Sequence, residues 1–258
     1  MIRPANLQLI ADDYGLGELH NLAIRELLGL DAISGTSVMI ELCDADAAQS
    51  LINVRQPHQL IGLHFNLTQP TLAYPAPFSR NQLLLSLPFG LKVSHCLDRL
   101  QEQWDCFIDR FGFEPHYIDG HEHVHQFIGL QKSVAQFATE RGVPVRATRL
   151  LPRVAGLKNH VINFLGVRFQ TTAKRYSVLT NDYFCGVLPL NSPSDAEIEI
   201  RRQLKEAFSF ANANPDITLT MMVHPGSAED VSQVKGHAAE MRSIEFRVLK
   251  SLVSDTRS

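Results

Sequence analysis

Leu7-Gln8-Leu9-Ile10-Ala11, followed at once by Asp12-Asp13 and then by an amphipathic stretch from Glu18 to Gly29, reads as a strand leading into a helix. The same alternation recurs along the chain. Thr36 to Ile40 (TSVMI), Leu60 to Leu67 (LIGLHFNL), His116 to Asp119, Val143 to Ala147, Tyr176 to Leu179 and Ile217 to Val223 are further candidate strands. Helical periodicity separates them over 45–54, 93–111, 130–141, 157–164, 194–211 and 241–253. Ser194 and Asp195 are the expected caps of the fifth of these, with Glu197 in its first turn. Alternating strand and helix imply a parallel sheet with helices outside it, so the expected fold is α/β, a distorted (β/α) barrel-like arrangement with about seven parallel strands. An open doubly wound sheet loses weight, because no G-x-G-x-x-G follows the first strand and no G-x-x-x-x-G-K-[ST] occurs. No repeat or linker divides residues 1–258, which read as one domain; Thr68 to Phe89, with four prolines and a poor period, reads as an inserted loop.

The chain has 258 residues, 45% of them apolar and 20% charged, which fits a globular protein able to bury its own core. Lys plus Arg is 24 against 27 for Asp plus Glu, a net charge of −3 that offers no basic footprint for nucleic acid or an anionic membrane. The longest apolar runs fall well short of the roughly 18 residues a membrane span needs. Cys43, Cys96, Cys106 and Cys185 lack C-x-x-C spacing, so neither a disulfide framework nor a thiolate zinc site is expected. Met1-Ile2-Arg3-Pro4 runs straight into the first strand without a leader's apolar region. A reduced, cytoplasmic protein is the expectation; a homodimer stays open.

In a parallel α/β fold the chemistry belongs at the C-terminal ends of the strands. Asp12 and Asp13 stand at the first such end. Two adjacent carboxylates repel, so burying both calls for a cation or a shared proton, whereas a helix N-cap accounts for only one of them. In Gly62-Leu63-His64-Phe65-Asn66-Leu67, His64, Asn66 and Thr68 share one face of the third strand. The densest signal is Asp119-Gly120-His121-Glu122-His123-Val124-His125. If extended, Asp119, His121, His123 and His125 point one way; if helical, His121 and His125 stack one turn apart. Either way at least two imidazoles can face one point, as zinc or another first-row ion requires. His224, between the last strand and Pro225-Gly226, suits a general acid or base near neutrality, or a turn residue capping the last helix. A carboxylate with two imidazoles and no thiolate suits a hydrolytic metal site rather than a structural one. Arg242 and Glu245, three apart on the last helix, read as a surface ion pair of little weight.

Leu9-Ile10-Ala11-Asp12-Asp13-Tyr14-Gly15, Gly62 to Thr68, Asp119 to His125 and His224-Pro225-Gly226, in this order over nearly the whole chain, resemble the motifs of the YdjC-like carbohydrate deacetylases, a family with chitooligosaccharide deacetylases and a hopanoid-associated branch. The resemblance implies a barrel-like fold and metal-dependent removal of acetyl groups from N-acetylated sugars, chitooligosaccharides or related glycans and glycolipids, so a small carbohydrate is the expected partner. It implies Asp13, His64 and His121 as holders of one divalent ion, Asp12 as general base and His224 as general acid. His125, His123, Asn66 and Tyr14 are weaker candidates for contacting substrate or supporting the site. Magnesium is the ion associated with the family, while two imidazoles favour zinc, nickel or cobalt on ligand preference.

Three positions depart from the family's habit. Tyr14 replaces the commoner Phe, Gly120 stands where Ser is frequent, and Glu122 sits between the first two histidines, where an inward side chain would compete with His121. Two other readings remain: a metallo-phosphoesterase on a similar barrel, disfavoured because such enzymes carry a His-x-His pair at the first strand, and a non-catalytic metal- or sugar-binding relative.

Overall fold

The structure is a computed structural model that describes residues 3–152, 156–187, 195–227, 229 and 239–254. Six parallel strands, β1 (Leu7–Tyr14), β2 (Gly35–Val38), β3 (Leu60–Phe65), β4 (Ile118–Gly120), β5 (Tyr183–Cys185) and β6 (Leu219–Val223), lie in the order β4-β3-β2-β1-β6-β5. Among the described residues eight α-helices accompany them: α1 (Glu18–Gly29), α2 (Ala45–Val54), α3 (Arg80–Ser86), α4 (Val93–Phe111), α5 (Gln131–Arg141), α6 (Leu157–Arg175), α7 (Ala196–Ala213) and α8 (Ala239–Ser254). The barrel-like α/β class expected from the alternation is the one observed.

Among the described residues there are six strands, where about seven were expected. Val143 to Ala147 makes only an isolated bridge, Ile118 with Val145, because Pro144 has no N–H to give a ladder; its carbonyl accepts from Ile118. Tyr176 to Leu179 is not a strand either, and β5 forms a few residues later. The helix expected over 157–164 runs on to Arg175. Gly166 lets the helix lie on the backbone of Thr148 and Arg149, which a Cβ would meet at 2.3–2.6 Å. Within the insertion, Ser79 and Gln82 form a reciprocal cap that starts α3. Asp195 is the N-cap of α7 without a side-chain bond, and Ser194 lies outside the described residues.

The chain divides into two compact units, residues 1–38, 43–60 and 185–258 in the first and 39–42 and 61–184 in the second. In the first, β1 pairs with both β2 and β6, so both its edges are satisfied and nearly every residue is buried, which explains its continuous apolar run. Ile24, Leu27, Ile33, Ile200, Leu204, Phe208 and Leu249 close that core. In the second, β3 and β4 pair in register, and Phe65, Leu100, Trp104, Phe107, Val134 and Phe169 are buried around them. Gln103 of α4 ties down the end of β3, accepting from the N–H of Asn66 at 2.8 Å and donating to its carbonyl at 2.7 Å.

Candidate metal centre

In the first unit, β1 does not end as a regular strand. Ala11 is level with Thr36 and Tyr14 with Val38, so one strand advances three residues while its neighbour advances two. Asp13 takes up the extra residue in a left-handed conformation with φ of 72°, which Asp tolerates better than most side chains. The bulge breaks strict alternation, and both adjacent carboxylates are 98% buried. Arg242 of α8 donates to Asp13 Oδ2 at 2.6 Å, and Ser37 Oγ lies 3.5 Å from Asp12 Oδ1. A guanidinium on one oxygen of Asp13 answers part of the charge problem.

β6 brings His224 to the same level. Ala11 is in register with Val223, so Asp12 and His224 are the next residues on neighbouring parallel strands. The turn after His224 is held by α8: Glu245 Oε2 accepts from the His224 N–H at 2.6 Å, and the Gly226 N–H donates to the Arg242 carbonyl at 3.1 Å. A Cβ at Gly226 would meet the His20 ring at 2.9 Å and Arg242 Cβ at 3.1 Å, so only glycine lets the turn sit this close to α8. Arg242 and Glu245 are therefore not a surface pair. They are buried on the face of α8 that also buries Met241, Ile244, Val248 and Leu249, and charged residues inside that apolar stripe were the available signal.

In the second unit, His64 of β3 is level with Asp119 of β4, and His64 Nδ1 lies 2.6 Å from Asp119 Oδ1. Arg146 NH2 pairs with the other oxygen, Asp119 Oδ2, at 3.1 Å. A carboxylate on Nδ1 fixes the tautomer and orientation of the imidazole and leaves Nε2 as a lone-pair donor, the arrangement that supports metal-bound histidines. The His121 ring stands 5.6 Å from that of His64, centroid to centroid, and a ligand nitrogen of each lies within 4.8 Å of the other. These are borderline-soft donors at a spacing that one ion can bridge, so a divalent metal fits them.

The segment from His121 to Gln126 is neither strand nor regular helix. It is a 3-10 turn in which Glu122 and His123 are both left-handed, with φ of 51° and 59°. That reversal separates the histidines. His121 turns toward His64; His123 lies edge-on to the Phe184 ring at 5.7 Å. His125 is fully buried, and its Nε2 donates to the Arg146 carbonyl at 2.8 Å. A Cβ on Gly120 would stand 2.7 Å from His125 Nδ1, which accounts for glycine at a position where Ser is frequent. Glu122 pairs with Arg80 of α3 at 3.8 Å.

Two of the weaker expectations are redirected. Asn66 spends its side chain on its own turn, Oδ1 accepting from the Thr68 and Gln69 N–H groups and Nδ2 donating to the Gln69 carbonyl. The Tyr14 hydroxyl donates to the Ala47 carbonyl at 2.7 Å and accepts from Arg25 at 3.1 Å, and burial pushes it up to about 12. These bonds give both side chains a structural role along the chain. The residues not anticipated as partners are Arg242, Glu245, Asp119 and Arg146.

Comparison with known proteins decides the family. The model of the YdjC-like proteins matches residues 6–254. The chain belongs to the YdjC-like family. A chitooligosaccharide deacetylase of Proteus mirabilis is 26% identical over 246 residues, covering 93% of this YdjC-like chain and 88% of that protein. Another, from Citrobacter koseri, is 34% identical over 147 residues, 54% of this chain and 58% of its own length. Among solved structures, an Enterococcus faecalis protein described as a candidate for cellobiose-phosphate cleavage shares the fold with a TM-score of 0.70 at 16% identity, covering 97% of this chain and 94% of that one.

Two buried groups make opposite contributions to acid stability. Burial lowers His125 to about 4, so between about 6.5 and 4 the unfolded chain binds a proton the folded one refuses, and stability falls as pH falls. Burial, with some repulsion from Asp12, raises Glu245 to about 7 against the pull of the His224 N–H and Arg242, so stability falls as pH rises from 4.5 to 7. Each shift is worth roughly 3 kcal/mol and the two offset each other. Urea midpoints of the metal-free Glu245→Gln variant are expected to drop on acidification from pH 6.5 to 4.5 relative to the unsubstituted chain; those of His125→Asn are expected to rise. Parallel profiles for all three proteins would contradict the assignment.

Proposed function

We propose that the protein is a metal-dependent carbohydrate N-deacetylase that hydrolyses the acetamide of an N-acetylated sugar, with residues 6–254 acting as one functional domain. The observation that carries the reading is the imidazole pair His64 and His121, the first of them oriented by Asp119 and Arg146. Family membership and the names of the Proteus and Citrobacter relatives support the substrate class.

In this reading Asp13, His64 and His121 hold one divalent ion, with Arg242 orienting Asp13 and Asp119 orienting His64. When bound, such an ion supplies Lewis acidity to an amide carbonyl and makes water easier to deprotonate. Asp12 accepts the proton of the attacking water. His224, level with Asp12 just past the end of β6, gives a proton to the amine nitrogen as the C–N bond breaks and a C–O bond has formed. Acetate and a free amino sugar leave, and the proton gained by Asp12 restores that given by His224. The insertion from Thr68 to Phe89, with α3 at its end, is the rim that sets chain length or aglycone in this reading. A cytoplasmic setting, consistent with four free cysteines, belongs to the same proposal; among the described residues no helix is long and apolar enough to cross a membrane.

The test is acetate release from di- and tri-N-acetylchitooligosaccharides by chelator-treated protein resupplied with magnesium, zinc, nickel or cobalt, with bound ions counted. Acetate with one ion per chain is expected. Two or three ions and phosphate-ester cleavage would favour the phosphoesterase, and bound metal without acetate under every salt would leave a binding protein.

A further inference from the structure

The net charge of −3 conceals a long one-sided stretch. Between Glu140 and Asp182 there is no Asp or Glu, while Arg141, Arg146, Arg149, Arg153, Lys158, Arg168, Lys174 and Arg175 fall inside it. Helix α6 occupies the middle, and its outer face is unusual. Leu157, Val161, Phe164 and Arg168 succeed one another at helical spacing, with Arg175 continuing the line. Leu157 is 82% exposed and Phe164 52%, with Val161 and Val167 exposed beside them. The face is therefore apolar over its first turns and cationic over its last, where Arg168, Lys174 and Arg175 are exposed.

Water is not required along this face. Thr171 and Thr172 turn their hydroxyls back to the Val167 and Arg168 carbonyls at 3.0 and 3.1 Å, so dehydrating them leaves no unpaired donor. The Arg168 guanidinium lies 5.6 Å from the Phe164 ring centre, so its charge sits over apolar surface. An acid-free amphipathic helix with exposed Leu, Val and Phe and a cluster of cations is built for the boundary of an anionic bilayer, where the ring and branched chains enter the acyl edge and the cations meet phosphate headgroups. A second copy of this face would bring like charges together, and a nucleic acid would gain nothing from the exposed Leu and Val.

We infer that α6 is a peripheral docking helix for the surface of an anionic lipid bilayer. The proposal is independent of the reaction assigned to the strand ends, and none of its residues belongs to that machinery. Each basic residue near the surface strengthens binding about fivefold at moderate salt, so replacing three weakens it on the order of a hundredfold.

The full chain is sedimented with phosphatidylcholine vesicles with and without phosphatidylglycerol. Binding is expected only with the anionic lipid, weakened by added salt, lost in Phe164→Glu, and about a hundredfold weaker in the triple variant Arg168→Ala, Lys174→Ala, Arg175→Ala. Circular dichroism of both variants checks that the exposed substitutions leave the fold intact. No binding of the unsubstituted chain to anionic vesicles, or binding that both variants retain, overturns the proposal. So does a dimer in analytical ultracentrifugation that Phe164→Glu dissociates, which would assign the face to a second copy.

Discussion

Replacing Asp12 by Asn is expected to lower kcat for acetate release by about 10²–10⁴-fold while leaving the bound metal in place. The substitution keeps the shape of a side chain that is 98% buried and removes only its charge and proton affinity. Asp12 and His224 each follow the in-register pair Ala11 and Val223 by one residue, which suits a base and an acid serving two ends of one bond. Ser37 Oγ lies 3.5 Å from Asp12 Oδ1. Asp13 differs: Arg242 already holds one of its oxygens. Metal analysis beside steady-state kinetics reads the two roles separately. Undiminished turnover in Asp12→Asn would remove the proposed base, and loss of metal with turnover would make Asp12 a ligand instead.

Replacing His64 by Ala is expected to abolish stoichiometric metal binding and, with it, all measurable acetate release. A chain of contacts stands behind the imidazole. Arg146 pairs with and orients Asp119, and Asp119 accepts a hydrogen bond from His64 Nδ1–H, which aims Nε2 as the proposed ligand nitrogen. Removing the ring removes a ligand; removing the carboxylate behind it only loosens one. Asp119→Asn is accordingly expected to weaken metal affinity by about 10–100-fold rather than abolish it, with activity recovered at high metal concentration. Isothermal titration of the chelator-treated proteins distinguishes the two. Tight metal binding by His64→Ala would refute the ligand assignment, and an unaltered Asp119→Asn would refute the orienting role.

Much of this protein was legible before any coordinates. The strand–helix alternation required only the period of apolar residues, a local property, and the bounds of α1, α2 and α4 follow from it directly. Asp12, Asp13, His64, His121 and His224 were visible as polar residues at strand ends, where parallel α/β folds place their chemistry. The insertion was legible as irregular chain, although the short helix α3 inside it was not; α6 was read only over 157–164, because its continuation to Arg175 packs on the backbone of Thr148 and Arg149, a contact that local periodicity does not reveal.

What the linear order determined by itself was the class of fold, the residue types able to hold an ion, and which segments carry them. Tertiary structure alone decided how those side chains are aimed and supported. A bulge at Asp13 and two left-handed residues at 122 and 123 cancel the periodicities by which direction is inferred, so His121 and His125 part company. Arg242, Glu245 and Arg146 acquire their partners across long sequence separations, where only packing can say that a charged residue on an apolar helix face meets a carboxylate or an imidazole's backbone. Periodicity tells which face a residue is on; the partner waiting there depends on the rest of the chain.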